Sequence, residues 1–146
     1  MTHDPGFRPR ALGEIAIRCT DMAAMVAFYR DVIGLELIRG GAEAPITFFR
    51  IGEGFGGHTS VLALFDRDRP GPTPQTGAGS SLHHLALSLP YAEQEAAMRW
   101  YDRHGLPYRI ETFGWIGWRG VFTNDPEGNT VELVAYDAAL LEVPAS

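Results

Sequence analysis

The sequence of this chain repeats itself, and that repeat constrains its fold more than any other feature. Three segments recur in the same order, each about 70 residues after its first occurrence. They are LGEIAI at 12–17 and LHHLAL at 82–87, AFYRDVIGLEL at 27–37 and RWYDRHGLPYR at 99–109, and GFGGHTSVLALFD at 54–66 and DPEGNTVELVAYD at 125–137. Self-similarity at one spacing is typical of a duplicated supersecondary unit. We therefore predict two copies of one module in a single domain.

Each copy reads as a strand, a helix and three more strands. The predicted strands are 14–19, 36–39, 47–51 and 59–65 in the first copy, and 82–89, 108–113, 119–123 and 130–136 in the second. The first helix has an apolar stripe from Met22 to Ile33, a cap at Thr20 or Asp21 and a stop at Gly34. The second helix is predicted over about 92–104 and ends at Gly105. These elements predict an α+β fold of two βαβββ modules, at about 12–66 and about 81–137, joined by a Pro- and Gly-rich linker at about 67–80.

Composition narrows the class of protein. The 146 residues fit one domain, and no apolar run approaches the roughly 20 residues of a membrane-spanning helix. The net charge of -6 and the absence of a Lys/Arg cluster argue against a nucleic-acid partner. The N-terminal MTHDPGFRPR lacks the apolar stretch of a secretory signal, and Cys19 as the only cysteine excludes an intrachain disulfide. We therefore expect a cytoplasmic protein.

Strand alternation places three metal-ligating side chains on faces that do not carry the Ile and Leu residues. Glu14 and Arg18 oppose Ile15 and Ile17, and His84 and Glu132 likewise oppose their apolar neighbours. The apolar faces must cover the helices, so the opposite faces line a second compartment, a curled sheet cup with the helices outside. Alternation assigns His83 to the helix side. Each residue alone has a plainer interpretation: an exposed strand end for Glu14, a packed imidazole for His84, a solvent-facing edge for Glu132.

Together the three residues predict a divalent-metal site. Carboxylates are costly to bury, and metal coordination is a common way to hold them. Oxygen and imidazole ligands suit Mn, Fe, Zn, Ni or Mg. We therefore predict that Glu14, His84 and Glu132 hold one such ion.

This set of motifs resembles the vicinal oxygen chelate superfamily, also called the glyoxalase/bleomycin-resistance/dioxygenase superfamily. The resemblance rests on FTNDPEGNTVELV at 122–134, on LHHLAL with His84, and on the helix AFYRDVIGL, and it covers 12–137. It implies paired modules that form a cup around a metal with open coordination positions, a small oxygenated organic substrate, and a homodimer. His84 and Glu132 match the ligand positions of the second module, whereas Glu14 stands where many members have His or Gln.

Departures from the family pattern leave the reaction open between lyase, isomerase and oxygenase chemistry. The fourth ligand position carries Val61 or Ala63, neither of which can bind metal or act as a base, which disfavours glyoxalase I and epimerase activities. The segment before the Asp-Pro-x-Gly turn has no His, and it has Phe122 where extradiol dioxygenases have Tyr. A metal-free protein that sequesters a ligand, as bleomycin-resistance members do, is the alternative.

Five residues are candidates for substrate binding: Arg18, Trp115, Trp118, Arg119 and Tyr136. The aromatic and cationic cluster before the last strand could wall a pocket for a planar or apolar substrate, or it could be core packing. Arg18 shares the face of Glu14, where it could bind a substrate carboxylate or pair with an acidic neighbour.

Overall fold

Two four-stranded sheets form the framework of the computed structural model, which describes residues 4–67 and 75–143. The first sheet has the order β1-β4-β3-β2 and the second the order β5-β8-β7-β6. The strands are β1 (Glu14–Cys19), β2 (Glu36–Arg39), β3 (Ile46–Glu53), β4 (Thr59–Asp66), β5 (Leu85–Ser88), β6 (Arg109–Phe113), β7 (Trp118–Asn124) and β8 (Thr130–Tyr136). In each sheet the first and last strands pair in parallel and the other pairs are antiparallel. The predicted fold of two βαβββ modules is confirmed, although the described strands form two separate sheets and no closed barrel.

One helix follows the first strand of each module. Helix α1 (Met22–Ala27) continues as a π-helical turn (Phe28–Val32), and α2 (Gln94–Arg103) is preceded by a short 3-10 turn (Tyr91–Glu93). The Asp21 carboxylate accepts a hydrogen bond from the Ala24 amide at 3.0 Å, so Asp21 is the cap of the first helix. Gly34 and Gly105 follow the two helices with positive φ, the left-handed conformation that glycine adopts without strain. Among the described residues, no helix is both long and apolar enough to span a membrane.

The apolar core lies between the sheets and the helices, and both modules contribute to it. Its buried members include Ile17, Met25, Tyr29, Leu62 and Leu64 from the first module, and Leu85, Met98, Tyr101, Val131 and Leu133 from the second. Burying each such side chain stabilises the fold by about 1.5–3 kcal/mol. Because α1 and α2 contribute Met25 and Met98 to this cluster, both helices lie on the core side of the sheets, and no described helix covers the opposite faces.

Polar contacts tie the first helix to the Asp-Pro-x-Gly turn of the second module. The Tyr29 hydroxyl donates to Asp125 Oδ2 at 2.8 Å in the buried interior. The Glu127 carboxylate accepts from the amides of Thr20 at 2.7 Å and Asp21 at 2.9 Å, where α1 begins. The bonds to Glu127 satisfy the amide of the cap residue Asp21 and that of Thr20 before it. Together with the Tyr29 bond they hold the turn against the first helix.

Strand β5 is shorter than predicted, and the difference matters for the site. Its pairing with β8 begins at Leu85, opposite Val131. Leu82 lies before the strand, and its amide donates a hydrogen bond to Ser80 Oγ at 3.0 Å. His83 and His84 therefore precede the strand, so alternation does not govern where their rings point. Half of the predicted linker, 68–74, lies outside the described residues, and its second half contains a short 3-10 turn (Gly77–Gly79). The module bounds stay predictions.

Candidate metal and substrate site

An imidazole and a carboxylate meet on the helix-free face of the second sheet. His84 Nε2 lies 3.1 Å from Glu132 Oε1. Glu132 is in the middle of β8, where its neighbours Val131 and Leu133 point into the core and thus turn its own side chain to the opposite face. The residue paired with Glu132 on β5 is Ala86, and His84 lies just before that strand. The structure thus brings together two of the three side chains that the sequence predicts as metal ligands.

The Glu132 carboxyl lies in an environment that disfavours its negative charge. Its side chain is only 6% exposed, and burial raises its pKa above the ordinary value. The nearby Glu111 carboxylate adds to that rise, whereas His84 and Arg109 oppose it. A site of this kind gains from a bound cation, because a cation would replace the proton that burial favours.

The two neighbouring histidines are coupled. His83 Nδ1 lies 2.8 Å from His84 Nδ1, and the rings meet edge-on with centroids 5.0 Å apart. When the hydrogen between the two rings is on His84 Nδ1, His84 Nε2 is unprotonated and faces Glu132. This is the tautomer in which Nε2 can bind a metal. Sequence reasoning set His83 aside because alternation assigned it to the helix side. The structure corrects this, since His83 is exposed beside His84 in the segment before β5.

A cleft of about 580 Å³ opens beside His84. Its lining includes His83, His84, Phe122 and Arg109, together with the segment 80–82. The His84 and Phe122 rings are 6.0 Å apart between centroids, and the Arg109 guanidinium lies 4.3 Å from the Phe122 centroid. Sequence reasoning did not single out Arg109. The alternation of β6, which pairs Arg109 with Phe122, is the signal that could have found it.

Glu14 does not join this pair within one chain. In residues 4–67 and 75–143, no group of three His, Cys, Asp or Glu side chains could hold a metal ion. Glu14 is the exposed first residue of β1, paired with Val61, on the sheet of the other module. A three-residue site formed by Glu14, His84 and Glu132 in one chain is therefore not observed.

The predicted substrate-binding residues are spread over the second sheet and β1. Trp118 and Tyr136 are neighbours across β7 and β8, and both are exposed on the face that carries Glu132. Trp115 is 73% exposed in the turn after β6. Arg18 lines a neighbouring cleft of about 540 Å³, which shares the segment 80–82 with the cleft beside His84.

Arg119 lies on the other side of its sheet. Its Nε donates to Gln94 Oε1 at 2.7 Å, and the guanidinium stacks 4.3 Å from the centroid of the Tyr91 ring. An Nη2 atom also lies 3.3 Å from Glu95. Arg119 therefore anchors the start of α2 to β7, and we leave it out of the proposed site.

Comparison with known proteins identifies the family. The family model described as "Glyoxalase/Bleomycin resistance protein/Dioxygenase superfamily" matches residues 11–133. The chain belongs to this superfamily. The match spans both modules, from β1 into the first half of β8, and it confirms the resemblance inferred from the motifs. No curated protein gives a significant sequence match.

Solved structures similar to this superfamily member carry several different activities. Lactoylglutathione lyase from Agrobacterium tumefaciens is 28% identical, with a TM-score of 0.65, over 88% of this chain and 95% of that one. A glyoxalase/dioxygenase from Nostoc punctiforme is 19% identical, with a TM-score of 0.70, over 94% and 97%. The fosfomycin resistance protein FosX from Mesorhizobium loti is 16% identical, with a TM-score of 0.63, over 90% and 97%. The last two likenesses concern the fold alone, because one fold hosts many reactions.

Proposed function

We propose that this superfamily member is a metal-dependent enzyme that acts on a small oxygenated organic substrate. His84 and Glu132 of one copy hold the ion together with Glu14 of a second copy. The observation that carries the proposal is the 3.1 Å approach of His84 Nε2 to Glu132 Oε1 on a face with no helix over it. Imidazole nitrogen and carboxylate oxygen suit Mn, Fe, Zn, Ni or Mg.

The surroundings of the pair favour a cation over a purely structural ion pair. Burial raises the pKa of Glu132, so metal binding would displace a proton and relieve the cost of the buried charge. His83 holds His84 by its other ring nitrogen, the arrangement that fixes metal-binding imidazoles in many proteins. A bound divalent ion would polarise substrate oxygens as a Lewis acid.

A second copy supplies what one chain lacks. Glu14 is exposed, and on the second sheet Trp118 and Tyr136 are 42% and 56% exposed on the helix-free face. In a two-fold dimer, the first sheet of each copy covers the second sheet of the other, which buries these aromatic rings and forms two equal sites. Similarity to lactoylglutathione lyase favours an enzyme. Neither Val61 nor Ala63 on β4 offers a further carboxylate for the reaction.

A mixing experiment tests this arrangement. Metal content and Mn²⁺ affinity are measured for the wild type, for Glu14→Gln and for Glu132→Gln, each of which should lose the ion when pure. When the two variants are mixed and allowed to exchange subunits, half of the dimers are hybrids. Each hybrid has one intact site, so about a quarter of the wild-type capacity should return. Full metal content in either pure variant, or no recovery on mixing despite exchange, would contradict the shared site.

The alternative is a metal-free protein that sequesters a ligand. The close His84–Glu132 pair does not favour it, because a ligand-sequestering cup has no need for a buried carboxylate beside an imidazole. A wild-type protein without affinity for any divalent ion at neutral pH would favour this alternative over the enzyme.

A further inference from the structure

Arg109 places a cation on the wall of the cleft. It is the first residue of β6 and pairs with Phe122 on β7, and its guanidinium lies 4.3 Å from the centroid of the Phe122 ring. Its Nη1 lies 2.9 Å from Glu111 Oε2. Stacking on an aromatic face and one ion pair orient the planar guanidinium, while its remaining N–H groups stay available to an incoming acceptor.

Phe122 lies between this cation and Glu132 in the second sheet, because it pairs with Arg109 on β6 and with Glu132 on β8. The centroid of its ring lies 4.3 Å from the Arg109 guanidinium and 6.0 Å from the centroid of the His84 ring. Arg109 and His84 line one cleft of about 580 Å³, and among its lining residues, all described, Arg109 is the only Arg or Lys. The cleft therefore places a positive group near the His84 imidazole, and Phe122 lies between that group and Glu132 in the sheet.

We propose that Arg109 binds an oxyanion group of the substrate, a carboxylate, phosphonate or phosphate. This inference rests on the proposed function and adds a substrate class, a small organic acid. Its acid group would bind the guanidinium, and its other oxygens would approach the ion held by His84 and Glu132. A guanidinium binds such groups through paired, charge-assisted N–H···O bonds. Arg109 is then a specificity-determining residue, because an uncharged analogue would leave its cation without the added partner.

Glu111 competes with a bound anion for Arg109. Its carboxylate neutralises part of the Arg109 charge and competes for the same N–H groups. The pair is half exposed, so its own stabilising effect is small and the competition is easily reversed. Removing the Glu111 charge should therefore strengthen anion binding, an effect opposite to that of removing Arg109.

The test measures binding of methylphosphonate and of acetate to the intact protein, without metal, at constant ionic strength, by amide chemical-shift titration. Arg109→Gln should weaken binding by at least about tenfold, and Arg109→Lys should lose less. Glu111→Gln should tighten binding several-fold. Arg103→Gln, which removes the same charge from the exposed end of α2, should change nothing. Thermal unfolding of each variant reports whether it is folded.

Equal affinity in Arg109→Gln and the wild type, or an equal loss in Arg103→Gln, would overturn the anion site. Weaker binding in Glu111→Gln would overturn the competition between the two residues. Titration of the same variants with Mn²⁺ separates this inference from the proposed function. Arg109→Gln should keep its metal stoichiometry. An anion site without any metal affinity would contradict the proposed enzyme and leave Arg109 as an anion-binding residue.

Discussion

The Glu132 carboxylate occupies the space that a β-carbon would take at Gly120 on the adjacent strand β7. Glycine at this position lets the buried carboxylate lie flat against the sheet and reach His84. We expect Gly120→Ala to push the carboxylate away and to lower the Mn²⁺ affinity by at least about tenfold, because metal ligands must keep their geometry. Isothermal titration of metal into the purified variant measures this effect.

Gly52→Ala is the matched control for that substitution. Gly52 also lies within a strand, β3, but nothing lies within 4 Å of the position of its added β-carbon. Its metal affinity and fold should match the wild type. Equal metal affinity in Gly120→Ala and Gly52→Ala would show that the Glu132 position is unimportant for metal binding.

The contact between His83 and His84 leads to a second prediction. Replacing His83 by Phe removes the 2.8 Å Nδ1–Nδ1 contact and leaves the His84 ring free to turn or to change tautomer. Loss of such an outer partner typically costs about 10–100-fold in metal affinity. Metal titration should show this loss in His83→Phe. It should show none in His104→Phe, because the His104 ring packs on Trp100 of α2, outside the site. A His83→Phe protein with wild-type affinity would assign His83 no part in the site.

Two buried tyrosines should respond in opposite ways to the same substitution. The Tyr29 hydroxyl donates to Asp125, whereas the Tyr101 hydroxyl is buried with no hydrogen-bond partner among the described residues. Tyr29→Phe should lower the free energy of unfolding by about 2 kcal/mol, because it removes a bond to a charged acceptor. Tyr101→Phe should leave it unchanged or raise it by about 1 kcal/mol, because it removes an unsatisfied group. Urea denaturation measures both, and an equal loss in the two variants would contradict this assignment.

The Cys19 thiol should make stability depend on pH in the alkaline range. Burial, with added repulsion from Glu127 and other carboxylates, raises its pKa from 9.0 to about 12. The unfolded chain then releases a proton that the folded chain keeps, so folding stability falls as pH rises through 9.0 toward 12. Between pH 7 and pH 10, the wild type should lose about 1.4 kcal/mol more than Cys19→Ala. Identical pH profiles for the two proteins in urea denaturation would contradict the buried, protonated thiol.

The repeat and its alternation were enough to predict the fold. The bounds of β1, β2 and β8 agree with prediction, and Asp21, Gly34 and Gly105 act as cap and stops, because these features depend on local backbone preferences. Alternation along β8 also placed Glu132 opposite the core. Alternation along β7 is likewise the signal for the position of Arg119, because Arg119 shares its face with the buried Val121.

The sequence by itself determined the strand–helix pattern of the modules, their order, and that Glu132 faces away from the apolar core. Each of these follows from side-chain periodicity over a few residues. Only the tertiary structure decided that His84 meets Glu132, that His83 partners His84, and that Arg109 stacks on Phe122 beside them. Those relationships depend on where strand pairing begins and on how neighbouring strands are registered. Glu14 lies on the other sheet, so its distance from the pair depends on how the sheets are arranged, which no local pattern encodes.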